Sequence, residues 1–306
     1  MIPSFLTTIY GDSISEKKDA IEQLNDLSFL LPAESIRASI TQILVIAAIT
    51  FSFYISVNFI LLKSLPAAER EDKKKEEFIL KQSYLYTHLL INAIIGTSGI
   101  YYFIYRIPGL RETYIEDSGF PHFEKINGYE DLTLFANLQL GYQIFSLYTG
   151  LFHVDEKKEM IIHHFAVVIV TSISMFCTIG YRYFTPFFYG VIEISSVPLS
   201  VMNIIQEMPT YKNNHPTTYV VVRLVFAFAF LTVRSYMWRP QIIDYCKHLL
   251  LVILIIDDWK AKVIHTCMLL SAILLTGLQM FWAYLIVKGI IKAFFKSKKV
   301  QKKEKN

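Results

Sequence analysis

The chain has 306 residues, is 53% hydrophobic and 15% aromatic, and has a mean hydropathy of +0.39. That balance excludes an ordinary soluble domain and points to a protein that crosses a membrane several times. The net charge is only +4, so no nucleic-acid partner is expected, and the placement of charge matters more than its sum.

Residues 1–38 carry more acid than base and have neither a basic start nor a small-residue cleavage site. They read as a lumenal N-terminal segment and not as a signal peptide or presequence. Within it, Ser13–Leu30 has the pattern of a short amphipathic helix lying on the membrane.

Seven apolar runs follow, at about 40–62, 83–105, 132–152, 159–179, 185–206, 218–238 and 264–287, each near the ~20 residues that cross a bilayer. They are continuously apolar rather than alternating, which favours helices over a barrel. The expected fold class is therefore all-α, a polytopic membrane helix bundle of about seven transmembrane helices. A shorter apolar patch at 248–256, bounded by Asp257 and Asp258, reads as a re-entrant or interfacial piece.

Lys and Arg near span ends set orientation. Lys63, Arg70, Lys73, Lys74, Lys75 and Lys81 mark the 64–82 loop as cytosolic, and the lysines of the 293–306 tail do the same for the C-terminus. The acidic 106–131 loop belongs on the other side, with the N-terminus lumenal. Arg239, Lys247, Lys260 and Lys262 fall on the lumenal face and go against this pattern. The tail ends KKEKN, which is not a dilysine retrieval signal; a solvated basic tail near anionic headgroups is the plainer account.

Polar residues inside the spans are costly and mark either interhelical fastening or a site. His163 and His164 adjoin near the start of the fourth span, and Glu193 lies in the middle of the fifth. On an ideal helix at about 100° per residue, Tyr189, Glu193, Ser196, Ser200, Asn203 and Glu207 share one sector. A polar layer is expected from His88 and Asn92, from Gln139, Tyr142, Gln143, Ser146 and Thr149, from Ser200 and Asn203, and from Gln279 and Trp282. Glu193 is placed roughly 10–15 Å deeper at 1.5 Å per residue, where Arg234 of the sixth span is its candidate partner in a structural ion pair. Adjacent histidines diverge by about 100°, so at most one faces a given site squarely. The eight histidines have no HxxxH or HxxHH spacing, and Cys177, Cys246 and Cys267 have no CxxC. No metal site or disulfide framework is expected.

The run LKQSYLYTHLLINAIIG, then LGYQIFSLYTGLF, MIIHHF, IEISSVPLSVMNI, LVFAFAFLTVRSY and LQMFWAYLIVKGIIK, resembles the TLC domain. That membrane domain is shared by ceramide synthases and translocating-chain-associating proteins, and the chain is most similar to the small single-domain members. The resemblance covers about residues 40–292. It implies a six-helix bundle around a lipid-accessible tunnel at 83–292, with the first helix, 39–63, peripheral. It also implies an endoplasmic reticulum protein of lipid homeostasis, including sphingolipid, that binds or senses membrane lipid. The alternatives are a ceramide-synthase-like N-acyltransferase, with His163 and His164 catalytic and acyl-CoA as co-substrate, and a cargo receptor or accessory subunit with a membrane-protein partner. No resident cofactor is expected. Gly190 stands where the synthase pattern has Asp, and Ser146 where other small members place an acid.

Overall fold

The computed structural model describes residues 33–108, 132–176 and 182–304. The amphipathic 13–30 stretch, most of the acidic 106–131 loop and Cys177 lie outside the described residues. Among the described residues every regular element is helical, as hydrocarbon requires when each backbone N–H must be satisfied within its own segment.

Helix α1 is Ala33–Ser64. Ile40, Leu44, Ile49, Phe59 and Ile60 face outward, while Ile43 and Tyr54 are buried. A 3-10 turn, Ala67–Glu69, leads to α2, Lys73–Tyr101, whose start is capped by the Asp72 side chain accepting from the Lys74 N–H. A π-helical turn, Tyr102–Arg106, continues α2.

Helix α3, Thr133–Phe152, packs between α1 and α4, Lys158–Phe176. Gly141 lets α1 approach, since a Cβ there would lie 2.9 Å from the Ile43 carbonyl oxygen. Asn137 Nδ2 donates to Gln42 Oε1 across the same seam at 2.8 Å.

After α4 come the short α5, Thr185–Phe188, a 3-10 turn at Val191–Ser195, and α6, Ser196–Gln206. A short α7, Pro209–Asn214, precedes α8, Pro216–Phe230. A π-helical turn, Leu231–Met237, joins α8 to α9, Trp238–Ile255, and α10 runs Trp259–Glu304.

Among the described residues six helical stretches are long and apolar enough to cross a membrane: Glu34–Ser64, Lys73–Arg106, Lys158–Phe176, Thr185–Gln206, Pro216–Leu254 and Trp259–Lys292. The remaining expected span is present as the 20-residue α3, which has the length to cross. It is less apolar because Asn137, Gln139, Gln143, Ser146 and Thr149 are all buried against its neighbours.

The 248–256 patch is not a separate re-entrant piece. It continues the helical stretch Pro216–Leu254, with Leu249, Leu251 and Val252 fully buried in a core shared with α5 and α10. Arg239, Asp244 and Lys247 interrupt the hydropathy of this stretch but not its backbone. Pro240, which brings no N–H, is tolerated because it follows a π-turn that has already rearranged the ladder. A second core joins Tyr54, Tyr84, Ile95, Phe135, Tyr142 and Met175 from α1 to α4.

Candidate functional site

The site forms where the fifth span breaks. Gly190 and Gly99 of α2 press backbone on backbone. A Cβ on Gly190 would lie 2.4 Å from the Pro186 carbonyl oxygen, 2.5 Å from Phe135 Cζ and 2.6 Å from Gly99 Cα. A Cβ on Gly99 would lie 2.5 Å from the Gly190 backbone. This contact draws the chain into a turn and then the 3-10 segment Val191–Ser195, with the Glu193 N–H donating to the Gly190 carbonyl at 2.8 Å. The single sector expected from Tyr189 to Glu207 therefore does not run through. An ideal 100° step holds only from Ser196 onward, where α6 begins.

The break delivers Glu193, 5% exposed, to Arg234 in the π-turn after α8, also 5% exposed. Arg234 Nη2 donates to Glu193 Oε2 at 3.4 Å and to Ser196 Oγ at 2.9 Å, and Arg234 Nε donates to Ser195 Oγ at 2.7 Å. Ser196 Oγ donates to Glu193 Oε2 at 2.6 Å, and Gln139 Nε2 donates to Glu193 Oε1 at 3.1 Å. Two buried opposite charges with several hydrogen bonds make a compensated unit; removing either partner would leave an unpaired charge. Gln139 thus belongs with Glu193 and not with the layer in which its helical spacing put it. Ser195 stands in the IEISSVPLSVMNI run but is not among the expected site residues. Its only signal was adjacency to Ser196, which points to another face on an ideal helix but to the same arginine on a 3-10 turn.

The two histidines part company. His164 Nδ1 donates to Gln143 Oε1 at 2.7 Å, and its ring centroid lies 5.9 Å from that of His88. His88 Nδ1 lies 2.6 Å from the Tyr142 hydroxyl. His163 packs edge-on against Trp282, centroids 5.2 Å apart, and its buried Nδ1 has no hydrogen-bond partner. Neither imidazole bonds to a carboxylate. Asn92 is buried with its Oδ1 unpartnered, and Asn203 is half-buried on α6. Ser146 and Ser200 turn back on their own helices, donating to the Tyr142 and Ser196 carbonyls at 2.9 Å each.

A cavity of about 50 Å³ lies between α4, the α5–α6 break, α9 and α10. Gln139, His163, Glu193 and Gln279 give it polar lining, while Phe184, Phe188, Trp238 and Tyr245 give it aromatic lining. Gln279 Oε1 is buried and unpartnered. As it stands the space fits a few waters, each needing about 10–15 Å³, and a larger guest has to displace side chains. Among the described residues no three His, Cys, Asp or Glu side chains converge as a metal site would need.

A family model for the TLC domain matches residues 81–288. The chain belongs to the TLC-domain family. No curated protein and no solved structure matches it. The TLC domain begins inside α2 and ends inside α10, so it takes in the whole cavity lining and leaves α1 outside. Within this TLC domain the synthase-pattern aspartate position, Gly190, has no room for a side chain.

Proposed function

We propose that this TLC-domain protein binds or senses a membrane lipid in the cavity beside His163, without catalysing a reaction, and serves lipid homeostasis in the endoplasmic reticulum. The observation that carries the reading is the lining itself. Amides, an imidazole and a compensated carboxylate on one wall and aromatic rings on the other suit a molecule with a polar head and an apolar body. The proposed orientation, N-terminus lumenal and C-terminus cytosolic, follows from the lysine-rich segments flanking the helices. The test is the lipid that accompanies the purified protein. Ala272, buried in the cavity wall, changed to Phe fills the space, and the bound lipid should fall while the protein still folds. An unchanged lipid complement in the folded variant sinks the reading.

A second reading, N-acyl transfer, is favoured by one feature: His163 reaches the cavity with Nδ1 unpartnered. There a neutral imidazole would take the proton from an attacking amine as the amide C–N bond forms and the thioester C–S bond of an acyl-CoA breaks, releasing the thiol. Purified protein assayed with acyl-CoA and a sphingoid base should show no turnover. Turnover that vanishes in a His163→Ala, His164→Ala double variant would replace binding with catalysis.

A further inference from the structure

We propose that the protein carries a second lipid site, separate from the cavity, in which an anionic phospholipid lies along an outer groove with its phosphate at Arg239. The groove is open along its outer side, offers about 700 Å³ of space, and is lined by Phe103, Phe187, Leu231, Ser235, Met237 and Arg239, among others. That volume falls in the range of about 300–1,000 Å³ typical of small-molecule sites.

Its origin is local. The groove forms where two widened π-turns, Tyr102–Arg106 and Leu231–Met237, contribute to one surface. Pro240, at its rim, brings no N–H to the helix, so a carbonyl in the preceding turn loses its usual donor. The Ser235 hydroxyl oxygen is buried without a hydrogen-bond partner.

Charge decides the occupant. Arg239 is exposed and, among the described residues, forms no hydrogen bond or ion pair, whereas Arg234 is already occupied by Glu193. Among the described residues the groove lining contains no acidic side chain to take the ammonium of a zwitterionic headgroup. Depth agrees with this. The apolar run LVFAFAFLTV ends at Val233, and Tyr236, 80% exposed, and Arg239 follow. An exposed aromatic and a base at the end of an apolar run is the composition of headgroup depth. Phe103 and Leu231, both part-exposed, then supply an apolar bed for an acyl chain.

The groove and the cavity stand back to back. Phe187 and Met237 line the groove, while their neighbours Phe188 and Trp238 line the cavity. The two sites share a partition and not a volume, so this proposal does not depend on the cavity's function.

The experiment is native mass spectrometry of the purified full chain, equilibrated with phosphatidylglycerol or phosphatidylcholine in detergent. The parent should retain phosphatidylglycerol preferentially, and Arg239→Gln should weaken that retention roughly tenfold, the size of one charge-assisted hydrogen bond. Arg223→Gln, an exposed arginine on α8 outside the groove, should leave it unchanged. Phe103→Trp should lower retention with the charge intact, and it carries the test alone if Arg239→Gln does not fold. Unfolding midpoints without added lipid identify which variants fold. Equal retention by the parent and a folded Arg239→Gln or Phe103→Trp variant, or an equal loss in Arg223→Gln, would overturn the site.

Discussion

His163 and His164 are adjacent on α4, yet they face two different interiors. On the α3 side His164 meets Gln143, and His88 meets Tyr142, with ring contacts as close as the 4.1 Å between the Tyr84 and His88 centroids. These contacts fasten α2, α3 and α4 to one another, while His88 Nε2 and His164 Nε2 stay buried without a hydrogen-bond partner. On the other side His163 reaches a hollow of about 50 Å³ whose polar wall includes Gln279, with an unpartnered Oε1, and the Glu193 unit. Polarity inside a membrane bundle therefore does not mark a site by itself. Where another side chain answers it, it holds helices together; where it borders a space, it is open to a guest.

The largest expected effect tests whether the hollow's far wall is structural. Arg234→Met leaves Glu193 buried without its counter-charge and should cost about 3–5 kcal/mol. Denaturant-induced unfolding in detergent measures it. A Glu193→Gln, Arg234→Met double variant should recover most of the loss, because the uncompensated charge is then gone. A single-variant cost below about 1 kcal/mol would mean that the pair does not define this wall.

Next comes the packing that makes the wall. Gly190→Asp introduces the acid found in the synthase pattern at a position where a Cβ would lie within 2.4–2.6 Å of Pro186, Phe135 and Gly99 atoms. The expected cost is about 3 kcal/mol, the upper end for overpacking. A variant that folds with parental stability would show that the α2–α5 contact yields, and that an acid there is compatible with the fold.

Most of the helices were legible because lipid forces hydropathy and helicity to coincide. The membrane histidines and carboxylate were legible too, since each stands out against apolar neighbours. Their grouping was not. Ideal helical arithmetic carried Glu193 and Ser200 along one stripe, but the Gly99–Gly190 contact breaks the helix between α5 and α6 and brings Ser195 round to Arg234. The α9 helix was obscured for the opposite reason: Arg239, Asp244 and Lys247 lowered hydropathy where the backbone ran on. Backbone contacts between distant glycines leave little trace in local periodicity. His163 and Glu193 both line the cavity without bonding to each other.

The smallest effect draws the sharpest line between the two interiors. His164→Ala removes the donor to Gln143 Oε1 and should cost about 1–2 kcal/mol, the penalty of an unanswered buried acceptor. His163→Ala, whose Nδ1 bonds to nothing, should cost about 0.6 kcal/mol, the average for a side-chain contact between membrane helices. Bound lipid should respond in the reverse order, altered in His163→Ala and unchanged in His164→Ala. Stability and lipid content measured on the same preparations therefore give opposite rankings for two neighbouring alanines. If both quantities instead rank His164 first, the hollow is an accident of packing and the imidazole pair is fastening throughout. If both rank His163 first, the α3 side is the looser interior and the contrast between the two regions runs the other way.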